Sequence, residues 1–134
     1  MAKQFITAIW LGKFNSSAEL REYVAFNYEN EDDVSSKFAN DIGLPYFDED
    51  FMESVFYNSQ PEILDYLGRR SFVDNKEVLS KVTSMGLGDN NSVISITGFK
   101  DRGLVNEELF DYQPVQIEKD YLVFVGLFRG EEHT

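Results

Sequence analysis

The chain has 134 residues, 43% of them hydrophobic and 15% aromatic, which is enough apolar material for a single core and excludes wholesale disorder. It contains no cysteine, which excludes disulfides and thiolate metal sites and fits a reducing cytoplasm. Its net charge of −12 argues against direct binding to nucleic acid or to an anionic membrane surface, since both need a basic face.

The segment Phe5 to Leu11 is apolar on both alternating faces, with Phe5, Thr7 and Ile9 against Ile6, Ala8 and Trp10, and reads as a strand buried on two sides. The apolar stretch is too short for a signal peptide and is broken by Thr7, and no run approaches a membrane span. Gly12 ends the strand. Ser16 and Glu19 have the spacing of a capping box, and Leu20, Tyr23, Val24 and Phe26 supply the apolar stripe of a first helix. After a polar, acidic connection, Val34, Phe38 and Ile42 recur every four residues and Gly43 sits at a C-cap position, so a second helix is predicted over 33–42. Leu44-Pro45-Tyr46 is a turn.

Asp48 to Tyr57 is ambiguous: Phe51, Val55 and Phe56 suit a helical stripe, while Val55-Phe56-Tyr57 suits a strand. We read it as helix or extended loop. Ser59 and Glu62 repeat the capping-box spacing around Pro61, opening a helix through Ile63, Leu64 and Leu67 to Gly68. Asp74 or Asn75 caps another, through Val78, Leu79 and Val82 to Gly86. Gly88 to Asn91 is a turn cluster. Ser92 to Phe99 alternates as a strand, and Tyr121 to Phe128 has the clearest strand pattern, with Gly126 marking a bulge or a close backbone approach. Pro114 to Ile117 reads as a shorter strand pairing with the last one across Glu118-Lys119-Asp120, and Glu131 to Thr134 reads as a frayed tail. No repeat or linker divides the chain. The expectation is one α+β domain over residues 1–134. Its sheet is mostly antiparallel or mixed, includes the N-terminal and C-terminal strands, and carries several short helices packed on it.

Catalytic chemistry finds little footing. The only histidine is His133, in the tail, which rules against a His-based acid/base site and any histidine metal cluster. There is no phosphate-cradling GxxxxGK[ST], and Met85-Gly86-Leu87-Gly88 reads as a helix stop plus turn rather than a nucleotide loop. Asp48-Glu49-Asp50-Phe51-Met52-Glu53 offers oxygen ligands, and Asp50 and Glu53 share a face if helical. The EF-hand pattern fails, however, with no Gly at the sixth position and Ser59 at the twelfth. No cofactor, metal or catalytic residue is assigned.

Charge points instead to recognition. Residues 29–65 hold eleven acids and one base, Lys37, so almost all of the excess negative charge lies there. These acids are interleaved with rings, including Tyr28 and Tyr46. Tyrosine beside carboxylates suits a protein interface, and acidic charge steers a basic partner. The candidate partner-binding residues are Tyr28, Glu31, Asp32, Asp33, Tyr46, Asp48, Glu49, Asp50 and Glu53. The bland alternative is a solvated acidic face.

Several of these segments together resemble the bacterial immunity protein 22 family. They are Ile9-Trp10-Leu11-Gly12, Phe14, Glu19-Leu20-Arg21-Glu22-Tyr23, Tyr28, Ser36-Lys37-Phe38, Asp41-Ile42-Gly43 and Tyr46-Phe47-Asp48-Glu49-Asp50-Phe51-Met52-Glu53. The resemblance covers roughly the first 55 residues, the later part matching only in the character of Tyr121 to Phe128. It implies an α+β immunity protein of a polymorphic toxin system that neutralises a toxin made by the same or a neighbouring cell. With the acidic charge the expected partner is a basic toxin domain, and with no cysteine and no catalytic motif the protein is expected to be cytoplasmic and not an enzyme. Trp10 and Gly12 are read as structural, a buried ring and a strand end. Two other readings stay open: a small carboxylate-metal hydrolase and an acidic scaffold or regulatory domain. A toxin gene beside this one would separate them from the first.

Overall fold

The computed structural model describes residues 2–28, 36–44, 47–69, 75–100, 105–117 and 119–133. Among them, four strands form one open antiparallel sheet: β1 (Ala2–Gly12), β2 (Met52–Phe56), β3 (Ser92–Phe99) and β4 (Leu122–His133). Their order is β2-β3-β1-β4, so β1 and β3 are central. The expected sheet containing the N-terminal and C-terminal strands holds, and the predicted strand over 92–99 joins it.

The two apolar faces of β1 explain the layering. Ile6, Ala8 and Trp10 point into one core with Ile94 and Ile96, covered by helices α1 (Ser17–Val24) and α2 (Lys37–Asp41). Ile9 and Leu11 point into a second core with Val93, Val125 and Phe128, covered by α3 (Gln60–Gly68) and α4 (Asn75–Met85). The fold is α+β, a sheet with helices on both faces. Trp10 is fully buried, its ring edge-on to Phe38 with centroids 5.1 Å apart, as expected of a structural residue. A Cβ at Gly12 would stand 2.5 Å from the Phe14 ring, so the strand end needs glycine for space.

The local signals acted largely as their chemistry predicts. Ser16 Oγ accepts from Glu19 N at 3.1 Å, and Ser59 Oγ accepts from Glu62 N at 3.4 Å. Gly43, at φ +74°, ends α2. Gly86 follows Met85 at the end of α4. The expected irregularity at Gly126 is a bulge: Ile9 pairs with Gly126 and Trp10 with Phe124, leaving Val125 as the extra residue.

Several boundaries differ from expectation. Asp48 to Tyr57 is neither helix nor loop throughout. Glu49–Phe51 forms a 3-10 turn and Met52–Phe56 forms strand β2, because pairing with β3 (Met52 opposite Ile96, Phe56 opposite Ser92) satisfies its backbone and places Met52 and Phe56 in one core and Val55 in the other. Pro114 to Ile117 is not a strand. This segment crosses the end of α2, where Val115 packs on Gly43 and the Tyr112 hydroxyl donates to the Ile42 carbonyl. The tail through His133 is paired rather than frayed, because β1 begins at Ala2 and gives Glu131, Glu132 and His133 partners in Gln4, Lys3 and Ala2. Helix α2 starts after its cap Ser36, whose Oγ accepts from Ala39 N at 2.9 Å; the predicted start at 33 and the cap at Asp74 lie outside the described residues. Phe26 is buried but lies beyond α1.

Candidate partner-binding surface

Sheet edge β2 opens with the acidic turn that the sequence singled out. Asp48 caps it, its carboxylate accepting from Asp50 N at 3.0 Å. Glu49 accepts from the Tyr28 hydroxyl at 2.9 Å, which joins two candidate residues 21 positions apart. Glu53, on β2, accepts a long bond of 3.4 Å from the Tyr66 hydroxyl of α3. Asp48, Glu49, Asp50 and Glu53 are all exposed, Tyr28 is 57% exposed, and Phe51 beside them is partly exposed against Phe99. Glu31, Asp32, Asp33 and Tyr46 lie outside the described residues.

What holds this turn in place was not among the candidates. Asn106, 7% exposed and at φ +46°, inserts its side chain between the turn and the sheet. Its Oδ1 accepts from Asp48 N at 2.7 Å, and its Nδ2 donates to the carbonyls of Asp48 at 3.2 Å and Thr97 at 3.1 Å. One amide thus pairs with both peptide groups of Asp48, whose carbonyl also accepts from Phe51 N at 3.2 Å, and with a carbonyl of β3, as a short strand would. The close approach depends on Gly98, where a Cβ would stand 2.5 Å from the Asn106 carbonyl oxygen. The available signal was weak: an Asn ahead of Glu107-Glu108 marks a possible helix start, but no apolar periodicity followed it.

A second cluster joins α1, α2 and β4. Asp41 Oδ2 accepts from the hydroxyls of both Tyr23 and Tyr121, each at 2.8 Å. Burial, and then the bond to this carboxylate, raise both phenols above the ordinary tyrosine value, Tyr121 to about 12. The Tyr66 phenol is likewise pushed up to about 12, chiefly by burial. Among the described residues no group of three or more His, Cys, Asp or Glu side chains is placed to hold a metal ion, and no helix is long and apolar enough to cross a membrane.

With this geometry described, the family model for immunity protein 22 matches residues 7–129. The chain belongs to the immunity protein 22 family. Comparison with curated proteins and with solved structures gave no match. The match runs far beyond the first 55 residues that carried the resemblance, from β1 into β4, and includes the acidic turn, Asn106 and the Asp41 cluster. Membership of an immunity protein family supports a toxin-immunity role in general and implies a toxin protein as partner.

Proposed function

We propose that this immunity protein neutralises its toxin by direct binding through the acidic face built from Tyr28, Asp48, Glu49, Asp50 and Glu53, extended by Glu31, Asp32, Asp33 and Tyr46. The partner surface is basic. The observation that carries this reading is an exposed acidic turn whose backbone is fixed by a buried asparagine. An ordered turn loses little conformational entropy on docking, so its charges add to affinity as well as to encounter. The carboxylates are engaged one by one with Asp50 N, Tyr28 and Tyr66, which suits a structured face better than a chelating site.

The test is toxin binding by the variant in which Asp32, Asp33, Glu49 and Asp50 are changed to Lys, with the product of any toxin gene found beside this one as the probe. Glu49 and Asp50 are exposed, and exposed charges contribute little to stability; circular dichroism checks that the fourfold variant keeps its fold. The association rate of the unaltered protein should fall as salt screens the charges over a Debye length of about 10 Å at 0.1 M. The reversed variant should lose protection. Unchanged affinity in a folded variant would move the interface elsewhere.

A further inference from the structure

The Asp41 cluster backs a cavity of about 250 Å³ lined by Phe14, Glu19, Glu22, Tyr23, Lys37 and Tyr121. That is below the ~300–1,000 Å³ of ordinary small-molecule sites, and it matches a single inserted side chain better than a cofactor. Three of its walls are one aromatic unit: Phe14 and Tyr23 centroids are 5.1 Å apart, Phe14 and Tyr121 5.9 Å, and Tyr23 and Tyr121 5.4 Å. Both phenol hydrogens are committed to Asp41, so the rings lean towards a carboxylate behind them and become more electron-rich, while Tyr121 stays partly exposed. In front of the rings, Glu19 and Glu22 project from α1 three residues apart, on one face of the helix. Glu19 is held by Asn15, through bonds of 3.0 and 3.4 Å, whereas the Glu22 carboxylate has no hydrogen bond or ion pair among the described residues. Lys37 lines the rim, and its ammonium pairs with neither acid, so two carboxylates face one unpaired cation with a third carboxylate behind the rings.

From this geometry we infer that the cavity between α1, α2 and the start of β4 is a receptor for one arginine side chain of the protein partner, its guanidinium stacked on Tyr121 and paired with Glu22. Arginine fits better than lysine because a planar, weakly hydrated guanidinium stacks on a ring while its N–H groups reach a carboxylate at the edge. The inference rests on the proposed toxin-binding role but uses a surface separate from the acidic turn.

It is tested on the whole protein, with small probes in place of the toxin, so its failure is distinguishable from failure of the acidic-turn reading. Nα-acetyl-arginine amide, the lysine equivalent and the uncharged citrulline equivalent are titrated while NMR follows the ring protons of Phe14, Tyr23 and Tyr121. The arginine probe should give saturable shifts confined to these rings, weakened by salt. Glu22→Gln, an exposed change that leaves the fold alone, should weaken binding about two- to fivefold, the factor for one exposed ion pair. Citrulline should bind far more weakly. The absence of saturable shifts at the three rings would overturn the inference. So would citrulline or lysine binding as tightly as arginine, or Glu22→Gln without effect.

Discussion

Asn106→Asp replaces an NH₂ with an oxygen of nearly the same size and so tests the pin beneath the acidic turn without changing its shape. The bond from Asp48 N can survive, since a carboxylate also accepts. The two bonds donated to the Asp48 and Thr97 carbonyls are lost, and each carbonyl then faces a negative oxygen. Leaving a buried acceptor unsatisfied costs about 1–3 kcal/mol, and burying an unpaired charge adds to it. The expected loss at neutral pH is about 3–5 kcal/mol, a large share of a typical total of about 5–15 kcal/mol. Burial and the facing carbonyls raise the pKa of the introduced carboxyl above its unfolded value. The variant is therefore most stable below the unfolded pKa and loses stability as pH rises through the folded one. Urea unfolding followed by circular dichroism at pH 7 and again at mildly acidic pH reads both effects. Asn106→Gly is the control. It keeps the positive φ and loses the bonds without adding charge, so it should cost less and show no such pH dependence. A loss below about 1 kcal/mol in Asn106→Asp at pH 7, less than one unsatisfied buried carbonyl should cost, would refute the assignment of Asn106 as the anchor of the turn.

The remaining expectations concern the contacts beside this pin and the tyrosine cluster. Gly98→Ala drives a Cβ to within 2.5 Å of the Asn106 carbonyl and should cost about 1–3 kcal/mol in the same unfolding assay. Combined with Asn106→Gly it should cost less than the sum of the two, because a backbone released from the side-chain bonds can shift away from the added Cβ, and strict additivity would mean that no such coupling exists. Free tyrosine titrates near 10, and in the folded chain Tyr66 and Tyr121 titrate near 12 with Tyr23 raised as well. The contribution of Tyr66 and Tyr121 to stability is therefore fully present below about pH 10 and lost as pH rises through about 12, while that of Tyr23 persists to higher pH. In Asp41→Asn the Tyr121 midpoint, followed by phenolate absorbance, should move down towards the ordinary value; an unmoved midpoint would mean that the carboxylate contributes nothing.

Periodicity and capping chemistry made most of the fold legible. The two-faced apolar run Phe5 to Leu11 demanded cover on both sides and became a central strand, and Ser16, Ser59 and Gly43 marked helix ends where they were expected. Edge strand β2 was less legible because its side chains serve two cores at once, so Phe51, Val55 and Phe56 mimic a helical stripe. Pairing with β3, a contact some 40 residues away in sequence, decided the outcome. For the same reason Pro114 to Ile117 resembled a strand: its side chains allow one, and only the Tyr112 anchor on Ile42 places it elsewhere. In the candidate surface, composition located the acidic turn. Neither Asn106 nor the two phenols on Asp41 could be found that way, because each is defined by partners 9 to 80 residues distant.

The aromatic content that suggested an interface is mostly spent on joining its parts. Tyr121 meets Tyr23, Tyr23 meets Phe38 at 5.8 Å, Phe38 meets Phe47 at 6.1 Å, Phe47 meets Phe26 at 5.1 Å, and Phe26 meets Tyr28 at 6.4 Å. Of these, Phe38 and Phe47 are essentially inaccessible, while Tyr28 at one end and Tyr121 at the other reach the surface. The chain of rings runs under α1 and α2 from the Asp41 cavity to the acidic turn, in a core whose packing density allows little independent movement. Both acidic features are therefore fixed relative to each other by the same side chains that stabilise the fold. A partner that is basic at two places with the matching separation would meet a rigid, two-point template, and a basic surface without that spacing could engage only one of them. On the proposed binding mode, net charge would govern how fast a partner arrives, and the ring-set spacing would govern which partner stays.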